Sequence, residues 1–315
     1  MSDLQSLTAI PQASPEFKSG FVAIVGRPNV GKSTLMNQLI GQKVAITSPV
    51  AQTTRNRLRG ILTTPSAQMI FVDTPGIHKP HHPLGEILVK NAQMAIHAVD
   101  VVLFVVDCSA PLGGGDRFIA QLLTQTNTPV ILGLNKLDLQ RKTAARALTL
   151  DQTYKTLAKT HHWPICKFSA LTTAKLNSLQ RQLIQHLVPG PYYYPPDLVT
   201  DQPERFIMGE LIREQILLLT RQEVPHSVAI VIDRVDESPK ITRILATIHV
   251  ERGSQKQIVI GKKGQMLKAI GTEARQQIQK LIAGKVYLEL FVKVQPKWRH
   301  SRMHLAELGY QVEAT

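Results

Sequence analysis

A glycine-rich segment, Gly26-Arg27-Pro28-Asn29-Val30-Gly31-Lys32-Ser33, constrains the fold of this chain more than any other feature. An apolar run at 21–25 precedes it and a helical pattern at 32–39 follows it. The spacing G-x-x-x-x-G-K-S lets backbone amides curve around phosphate groups between a buried strand and a helix. The segment therefore predicts a phosphate-binding loop, and a plain glycine-rich turn is the weaker alternative.

Short apolar runs alternate with helical patterns downstream of this segment. The runs typical of buried strands lie at 69–72, 99–106, 130–134 and 165–168, and the helical patterns lie at 87–98, 119–124 and 176–187. Such alternation indicates a parallel sheet that helices cover on both faces. We therefore expect an α/β domain with a doubly wound, mostly parallel sheet at 19–188, preceded by a flexible arm at 1–18.

A stretch dense in proline and glycine at 188–196 ends this alternation. Proline cannot continue a helix, so we predict a semi-rigid linker at 189–203. Its three tyrosines are Tyr192, Tyr193 and Tyr194. We expect them to hold the linker against a domain, and stacking on RNA is the alternative.

A smaller α+β unit is predicted at 204–300, followed by a tail at 301–315. Its pattern is a helix at 206–220, strands at 228–235 and 241–250, a strand-like apolar run at 258–260, a helix at 265–281 and a strand at 286–294. This change of pattern predicts two domains, which a chain of 315 residues is long enough to form.

The glycine-rich segment and the motif that follows the next predicted strand predict the residues that bind phosphate and magnesium. Lys32 is expected to reach the β- and γ-phosphates, and the Ser33 hydroxyl is a ligand for Mg²⁺. In Asp73-Thr74-Pro75-Gly76, which follows a predicted strand, Asp73 can hold Mg²⁺ through water while the Gly76 amide senses the γ-phosphate.

A threonine of Gln52-Thr53-Thr54-Arg55 is expected to complete the magnesium shell and close over the γ-phosphate. We favour Thr54, with Thr53 as the alternative. The predicted catalytic residues are Lys32, Thr54 and Gly76, and the predicted metal ligands are Ser33, Thr54 and Asp73.

Base selection is predicted at Asn135-Lys136-Leu137-Asp138, which also follows a strand. The Asp138 carboxylate can accept hydrogen bonds from two adjacent donors of guanine, which adenine lacks, so GTP is the expected nucleotide. Asn135 is expected to tie loops together, and the Ala170 amide of Ser169-Ala170-Leu171 to bind the guanine carbonyl. The full predicted set is Gly26, Asn29, Val30, Gly31, Lys32, Ser33, Thr34, Asp73, Asn135, Lys136, Asp138, Ser169, Ala170 and Leu171.

Ile77 occupies the position after Gly76, where Ras-like enzymes carry a glutamine that orients water. An apolar side chain cannot do this, so we expect slow intrinsic hydrolysis of GTP. Potassium is a hypothetical activator, with Asn29 as its candidate ligand. His78, His81 and His82 are expected to belong to a mobile loop rather than to a metal site.

Positive charge is concentrated near the end of the chain, which has a net charge of +14. Between 256 and 302 eleven lysines and arginines face two acids, a balance that suits a polyanion such as RNA or an anionic membrane. Gly261-Lys262-Lys263-Gly264 lies in this stretch and predicts a loop that clamps an RNA backbone. The predicted RNA-binding residues are Gly261, Lys262, Lys263, Gly264, Ile258, Ile260 and Lys268.

Bases are expected to lie in an apolar groove at this site, floored by Ile258, Ile260 and Ile270. An ordinary loop with solvated lysines is the alternative. No dense aromatic platform for stacking is apparent in the sequence.

Compartment and redox state are only bounded by the sequence. Two cysteines, Cys108 and Cys166, indicate neither a disulfide framework nor a metal site. No apolar run approaches the length of a membrane span, and no signal pattern begins the chain, so a cytoplasmic protein without a transmembrane segment is expected.

Taken together, these motifs resemble the Era family of bacterial GTPases from 21 to at least Trp298. The entry into its type II KH domain is matched by Ile212-Arg213-Glu214 and by Val224-Pro225-His226-Ser227-Val228. The resemblance implies Mg²⁺-dependent GTP hydrolysis and binding near the 3′ end of 16S ribosomal RNA during maturation of the 30S subunit. It also implies some peripheral membrane association, and a monomer is expected.

The sequence departs from this family after Trp298, where Arg299-His300-Ser301-Arg302 is basic rather than acidic. Two other functions remain open. A GTPase coupled to tRNA modification would need an additional catalytic domain, and a membrane-surface switch would use the basic face.

Overall fold

Two sheets organise the chain in the computed structural model, which describes residues 10–50, 53–55, 57–77, 83–140, 144–221, 224–282 and 284–310. The larger sheet contains β1 (Lys18–Val25), β2 (Leu58–Thr63), β3 (Ala67–Asp73), β4 (Val101–Asp107), β5 (Val130–Asn135), β6 (Ile165–Lys167) and β7 (Val188–Pro189). Their order is β2-β3-β1-β4-β5-β6, and β7 pairs with β1. Only the pairs β2–β3 and β1–β7 are antiparallel among these described strands.

Helices cover both faces of this sheet, because β3 is buried along its whole length and β1 and β4 nearly so. They are α1 (Lys32–Ile40), α2 (Pro83–His97), α3 (Gly114–Leu123), α4 (Leu137–Gln140), α5 (Ala144–His161) and α6 (Leu176–His186). Side chains of α1 and α6 pack in one apolar cluster, and those of α2, α3 and α5 pack in another. The predicted doubly wound, mostly parallel α/β domain is confirmed.

Strand β2 was not predicted, because it is short and contains an exposed Arg59 and a glycine. A Cβ at Gly60 would lie 2.1 Å from the Ile40 side chain, so this glycine lets α1 pack closely against the edge of the sheet. The antiparallel edge strand is the part of the domain that apolar runs alone do not indicate.

The tyrosines of the linker lie against the first domain, as predicted. The ring of Tyr192 stacks on Phe17 with centroids 4.2 Å apart, and Tyr193 lies 5.3 Å from Phe21. The Ile61 amide donates to the Val199 carbonyl at 2.8 Å. Phe17 is buried and Lys18 begins β1, so the predicted arm at 1–18 is too long by these two residues.

The second domain contains α7 (Glu204–Leu219), β8 (Ala229–Glu237), β9 (Ile241–Val250), α8 (Gly253–Ile260), α9 (Gln265–Ile278) and β10 (Lys285–Val294). Its sheet has the order β10-β9-β8, with β10 parallel and β8 antiparallel to β9. The helices α7, α8 and α9 share its apolar core. The expected smaller α+β domain is therefore present.

One local prediction in this domain is wrong, and the tail that follows the domain contains a helix. Residues 258–260 form the end of α8 rather than a strand, because a three-residue apolar run does not distinguish the two and only Val259 is buried there. The predicted tail is also partly folded, since α10 (Arg302–Glu307) follows Trp298. Leu305 and Tyr310 are buried against the Trp298 ring, whose centroid lies 5.7 Å from that of Tyr310.

Candidate functional site

The phosphate loop connects β1 to α1 and depends on a glycine at its end. Gly31 precedes α1 with φ of 95°, and a Cβ there would lie 2.5 Å from Asn135 Nδ2. That Nδ2 donates to the Val30 carbonyl at 2.8 Å. The loop is thereby fixed to the end of β5, as the predicted tying role of Asn135 requires.

Lys32 lies beneath this loop and is 6% exposed. Its Nζ donates to the carbonyls of Gly26 and Arg27 at 3.2 and 3.0 Å. Burial lowers the pKa of Lys32 to about 8, and the nearby Asp73 carboxylate partly opposes this shift. A phosphate group in the cleft would supply the anionic partner that such a buried ammonium needs. The cleft is lined by Pro28, Asn29, Gly31, Lys32, Ser33, Thr34, Ile46, Thr47, Ser48, Thr53, Thr54 and Gly76.

The residues present fit a bound magnesium ion. Asp73 Oδ2 accepts from Ser33 Oγ at 2.7 Å and from Thr54 Oγ1 at 3.1 Å, and these hydroxyl oxygens lie 2.9 Å apart. Asp73 is fully buried, and its Oδ1 has no hydrogen-bond partner among the described residues. Burial raises the pKa of Asp73, with Lys32 opposing the shift. A hard cation would satisfy these oxygens and stabilise the carboxylate.

Thr54 rather than Thr53 lies at this cluster. The Thr53 hydroxyl donates to the Val50 carbonyl at 2.7 Å and contacts the Ser48 hydroxyl at 2.9 Å, away from Asp73. The geometry therefore supports Thr54 as the metal-ligating threonine. Gln52 lies outside the described residues.

Gly76 closes the phosphate side of the cleft. A Cβ at this position would lie 2.8 Å from the Pro28 nitrogen, so a side chain would displace the phosphate loop. Ile77 is 1% exposed and packs in the apolar cluster beneath the sheet, and its amide donates to the Gly26 carbonyl at 3.3 Å. The side chain at the glutamine position thus points into the core. His78, His81 and His82 lie outside the described residues.

The predicted base-binding residues meet at the ends of β5 and β6. Asn135 Oδ1 accepts from the Ala170 amide at 2.8 Å, and the Ser169 hydroxyl donates to Asp138. This bond engages the amide that we expected to bind the guanine carbonyl, so that role requires the Asn135 contact to be shared or broken. Leu171 is 72% exposed at the rim.

Lys136 has an ion-pair partner that the sequence analysis missed. Its Nζ donates to Asp107 at 2.8 Å, and this bond helps lower the pKa of Asp107 although burial opposes the shift. Asp107 ends β4, next to β5 in the sheet, and a carboxylate at a strand end is the signal that would have indicated it.

Arg55, the neighbour of Thr54, is inserted into the second domain and is 2% exposed. Its guanidinium donates to the carbonyls of Val228 at 2.6 Å, His226 at 3.1 Å and Pro225 at 3.2 Å. It also lies 5.9 Å from the ring centroids of both Trp298 and Tyr310. The residue beside the metal site is thus anchored in the other domain.

Further contacts reinforce this junction. The Thr47 amide donates to Glu214 of α7 at 2.9 Å, and Arg213 donates to the Thr53 carbonyl. Ile46 packs in the core of the second domain. From the other side, Leu84 and Leu88 of α2 pack with Trp298, Leu305 and Tyr310. The segment before Thr54 and helix α2 therefore both contact the second domain.

The predicted RNA loop joins α8 to α9 and requires its glycines. Gly261 has φ of 72°, and a Cβ there would lie 2.6 Å from Met266 Cβ. Gly264 has φ of 77° and precedes α9. Lys262, Lys263 and Lys268 are exposed, and in the part of the chain that the structure describes no acidic side chain pairs with them. The loop therefore presents unneutralised positive charge.

The apolar groove is smaller than expected. Ile258 is 44% exposed and Ile260 is partly buried, so both can contact a ligand. Ile270 is fully buried in the core of the domain, so the expectation that it floors the groove is wrong. The reason is that Ile270 lies on the face of α9 that packs against the sheet.

Cys108 and Cys166 are buried free thiols whose pKa values burial raises. Among the residues with described positions, no helix has the length and apolar character needed to cross a bilayer.

Comparison with known proteins identifies both domains. Residues 21–136 match the family model described as 50S ribosome-binding GTPase, and residues 223–299 match the KH domain model. GTPase Era of Nostoc sp. is 72% identical over 99% of this chain and 96% of its own length. GTPase Era of Leuconostoc citreum is 50% identical over 96% of this chain and 99% of its own.

Two solved structures are similar over 93% of this chain and 99% of their own, each with 40% identity and a TM-score of 0.88. One is Era in complex with MgGDPNP and nucleotides 1506–1542 of 16S ribosomal RNA. The other is a variant of Aquifex aeolicus Era bound to GDP and aluminium fluoride. With its P-loop domain, its KH domain and relatives that align over almost their whole length, the chain belongs to the family of the GTPase Era.

Proposed function

We propose that this GTPase binds the 3′ end of 16S ribosomal RNA through its KH domain and that the bound nucleotide sets the affinity for RNA. The observation that carries this proposal is the burial of Arg55 in the KH domain, directly after Thr54 of the metal site. The Thr54 side chain contacts Asp73, whereas the next side chain, Arg55, enters the KH domain. Thr54 can therefore follow the nucleotide while Arg55 moves the KH domain.

In the GTP state, Lys32 lies against the β- and γ-phosphates, and Ser33, Thr54 and Asp73 hold Mg²⁺. When bound, this ion would neutralise the charge that develops on the phosphates. The Gly76 amide would face the γ-phosphate. Ile77 supplies no group that orients water, so intrinsic hydrolysis is slow.

Loss of the γ-phosphate removes the reason for Thr54 to stay beside Asp73. The segment that contains Arg55 then loosens, and with it the contacts to Val228, His226 and Pro225. Leu84 and Leu88 of α2 give the second switch segment its own contact with the KH domain. Hydrolysis thus releases RNA by changing how the two domains pack.

The proposed RNA ligand and the proposed role in ribosomal subunit assembly are based on the comparison with relatives. A similar protein was solved with a 16S ribosomal RNA fragment and a GTP analogue. The exposed Lys262, Lys263 and Lys268 supply the contacts to phosphate that such a ligand needs. We further propose that the protein acts on the maturing 30S subunit as a cytoplasmic monomer, with peripheral membrane contact through the same basic surface.

Fluorescence anisotropy with a labelled RNA copy of the 3′ end of 16S ribosomal RNA tests the proposal. With a non-hydrolysable GTP analogue we expect binding on the order of tenfold tighter than with GDP, the usual scale of allosteric coupling. Equal affinity in the two states would reject nucleotide control. Retention on anionic liposomes that excess RNA does not compete away would favour a membrane-surface switch instead.

We also propose that a potassium ion bound at Asn29 accelerates GTP hydrolysis. The Asn29 side-chain amide donates to the Pro49 carbonyl at 2.9 Å, so it connects the phosphate loop to the segment that contains Thr54. A monovalent cation held here by oxygen atoms would stabilise charge on the transferred phosphate. Turnover should be faster in potassium than in sodium chloride, and Asn29→Ala should remove the difference. Equal rates for the unmodified protein in both salts would rule this out.

A further inference from the structure

One face of the KH sheet is exposed over much of its area, although its end at Ala229 is covered by Leu84 and Trp298. Helices α7 and α9 pack on the opposite face, where Leu288, Leu290 and Val292 join the core. Tyr287 and Phe291 alternate with these residues along β10 and are each 50% exposed. We call the exposed surface formed by Arg243 and Leu245 of β9 with Tyr287, Glu289, Phe291 and Lys293 of β10 the open sheet face.

Charges of both signs surround the two rings, since Asp233 and Asp236 of the neighbouring β8 lie on this face together with the cations. The Arg243 guanidinium lies 5.9 Å from the Tyr287 ring centroid, and Arg243 pairs with Tyr287 in the strand register. Lys285 and Lys293 are exposed at either end of β10, and Glu289 between the rings is the opposing acid on this strand. Flat rings flanked by cations suit unpaired bases with their phosphates better than they suit an apolar protein surface.

Strand β10 also connects this face to the glycine loop. It is an edge strand, which among the described residues pairs with β9 alone. On its inner face, Leu290 lies 3.4 Å from the position of a Cβ at Gly271 in α9, the helix that the glycine loop opens. An RNA strand that leaves the loop across β10 would therefore meet Tyr287 and Phe291. The two rings are four residues apart along the strand, about 13 Å, so each ring would stack on a different base.

We propose that the open sheet face is a second RNA-contact surface, on which Tyr287 and Phe291 stack bases of a strand held at its other end by the glycine loop. Sheet aromatics stack two or three bases in other RNA-binding domains. This inference rests on the proposed RNA binding by the KH domain. It extends the site from the groove to the outer face of the same sheet.

The test compares a four-nucleotide RNA, which fills only the glycine-loop groove, with a twelve-nucleotide unpaired RNA. Both are measured by anisotropy on the full chain with a non-hydrolysable GTP analogue. The double variant Tyr287→Ala, Phe291→Ala should bind the short RNA like the unmodified protein. It should bind the long RNA at least tenfold more weakly, because base stacking contributes about tenfold per ring.

Matched controls keep the result specific. Leu148→Ala removes an exposed apolar side chain from α5 of the GTPase domain, 74% exposed, and should change neither affinity. Phe291→Trp retains a ring and should keep tight binding, with its fluorescence quenched by the long RNA and not by the short one. The native Trp163 and Trp298 provide the background signal in the unmodified protein.

Unchanged binding of the long RNA by the double alanine variant, or unquenched Phe291→Trp at saturation, would overturn the proposal. So would self-association that the double variant abolishes without any effect on RNA, since the face would then join two copies of the chain. Failure of the unmodified protein to bind either RNA would instead reject the underlying RNA-binding function.

Discussion

Lysines are expected to bind phosphate groups in two regions of this molecule, but they are buried in one region and exposed in the other. At the nucleotide site Lys32 is 6% exposed and contacts the phosphate loop, whereas Lys262 and Lys263 of the RNA loop stand in solvent. In the candidate nucleotide site the buried Asp73 carboxylate accepts hydrogen bonds from the Ser33 and Thr54 hydroxyls. A single charge in the first region should therefore contribute far more than one in the second.

The same substitution in both regions gives the largest expected contrast. Lys32→Met should weaken GDP and GTP binding by about 3 kcal/mol or more, because a buried charge-assisted contact to phosphate is lost. Lys262→Met should weaken RNA binding by about 1 kcal/mol or less, the usual scale for an exposed charge. Isothermal titration calorimetry measures both, and losses of equal size would remove the distinction.

Selection of the guanine base by Asp138 provides the second test of the nucleotide site. Asp138→Asn should reverse the preference between GTP and xanthosine triphosphate, with a change on the order of a hundredfold, because the carboxylate no longer matches the two guanine donors. Competition against fluorescent GDP measures this ratio. Conversely, an unaltered preference for GTP would show that Asp138 does not read the base.

The buried position of Lys32 also predicts a pH dependence. Its pKa in the free protein is lowered to about 8, and bound phosphates would raise it. Protonated Lys32 is the form that binds, so GDP affinity should be flat below about pH 8 and fall by up to tenfold per pH unit above it. Measurements between about pH 7 and 9 test this. Lys32→Met should show no such fall, and an equal fall in that variant would assign the effect to another group.

The smallest expected effect is a change in the salt dependence of RNA affinity when exposed lysines are replaced. Lys262→Gln with Lys263→Gln should lower the slope of log affinity against log salt by about 1.4 for single-stranded RNA, since each phosphate contact releases part of a counterion. The matched pair Lys155→Gln with Lys159→Gln, exposed on α5, should leave the slope unchanged. Equal slopes for both pairs would place the phosphate contacts elsewhere.

The two regions also differ in what the sequence predicts. The candidate nucleotide-binding residues lie in short motifs at strand ends, so local spacing is enough to predict Lys32, Asp73 and Asn135. The choice of Thr54 over Thr53 needed three-dimensional contacts with Ser33. In the KH domain, Ile270 faces the core and Tyr287 faces solvent, and only the packing of α9 on β10 decides this.

The role of Arg55 was the hardest to predict. Its partners Pro225, His226 and Val228 lie about 170 residues further along the chain. No periodicity or motif spacing in the sequence indicates a contact between domains whose residues are so far apart along the chain. The sequence indicates a switch segment and an RNA-binding domain, and the structure adds the side chain that joins them.

The central claim is that Arg55 transmits the nucleotide state to the KH domain. The direct measurement is the ratio of RNA dissociation constants with GDP and with a non-hydrolysable GTP analogue. This ratio should be on the order of ten for the unmodified protein and for Arg181→Met, an exposed arginine on α6. For Arg55→Met, checked for folding and nucleotide affinity, it should fall to about one. A ratio that stays near ten in Arg55→Met would contradict the account.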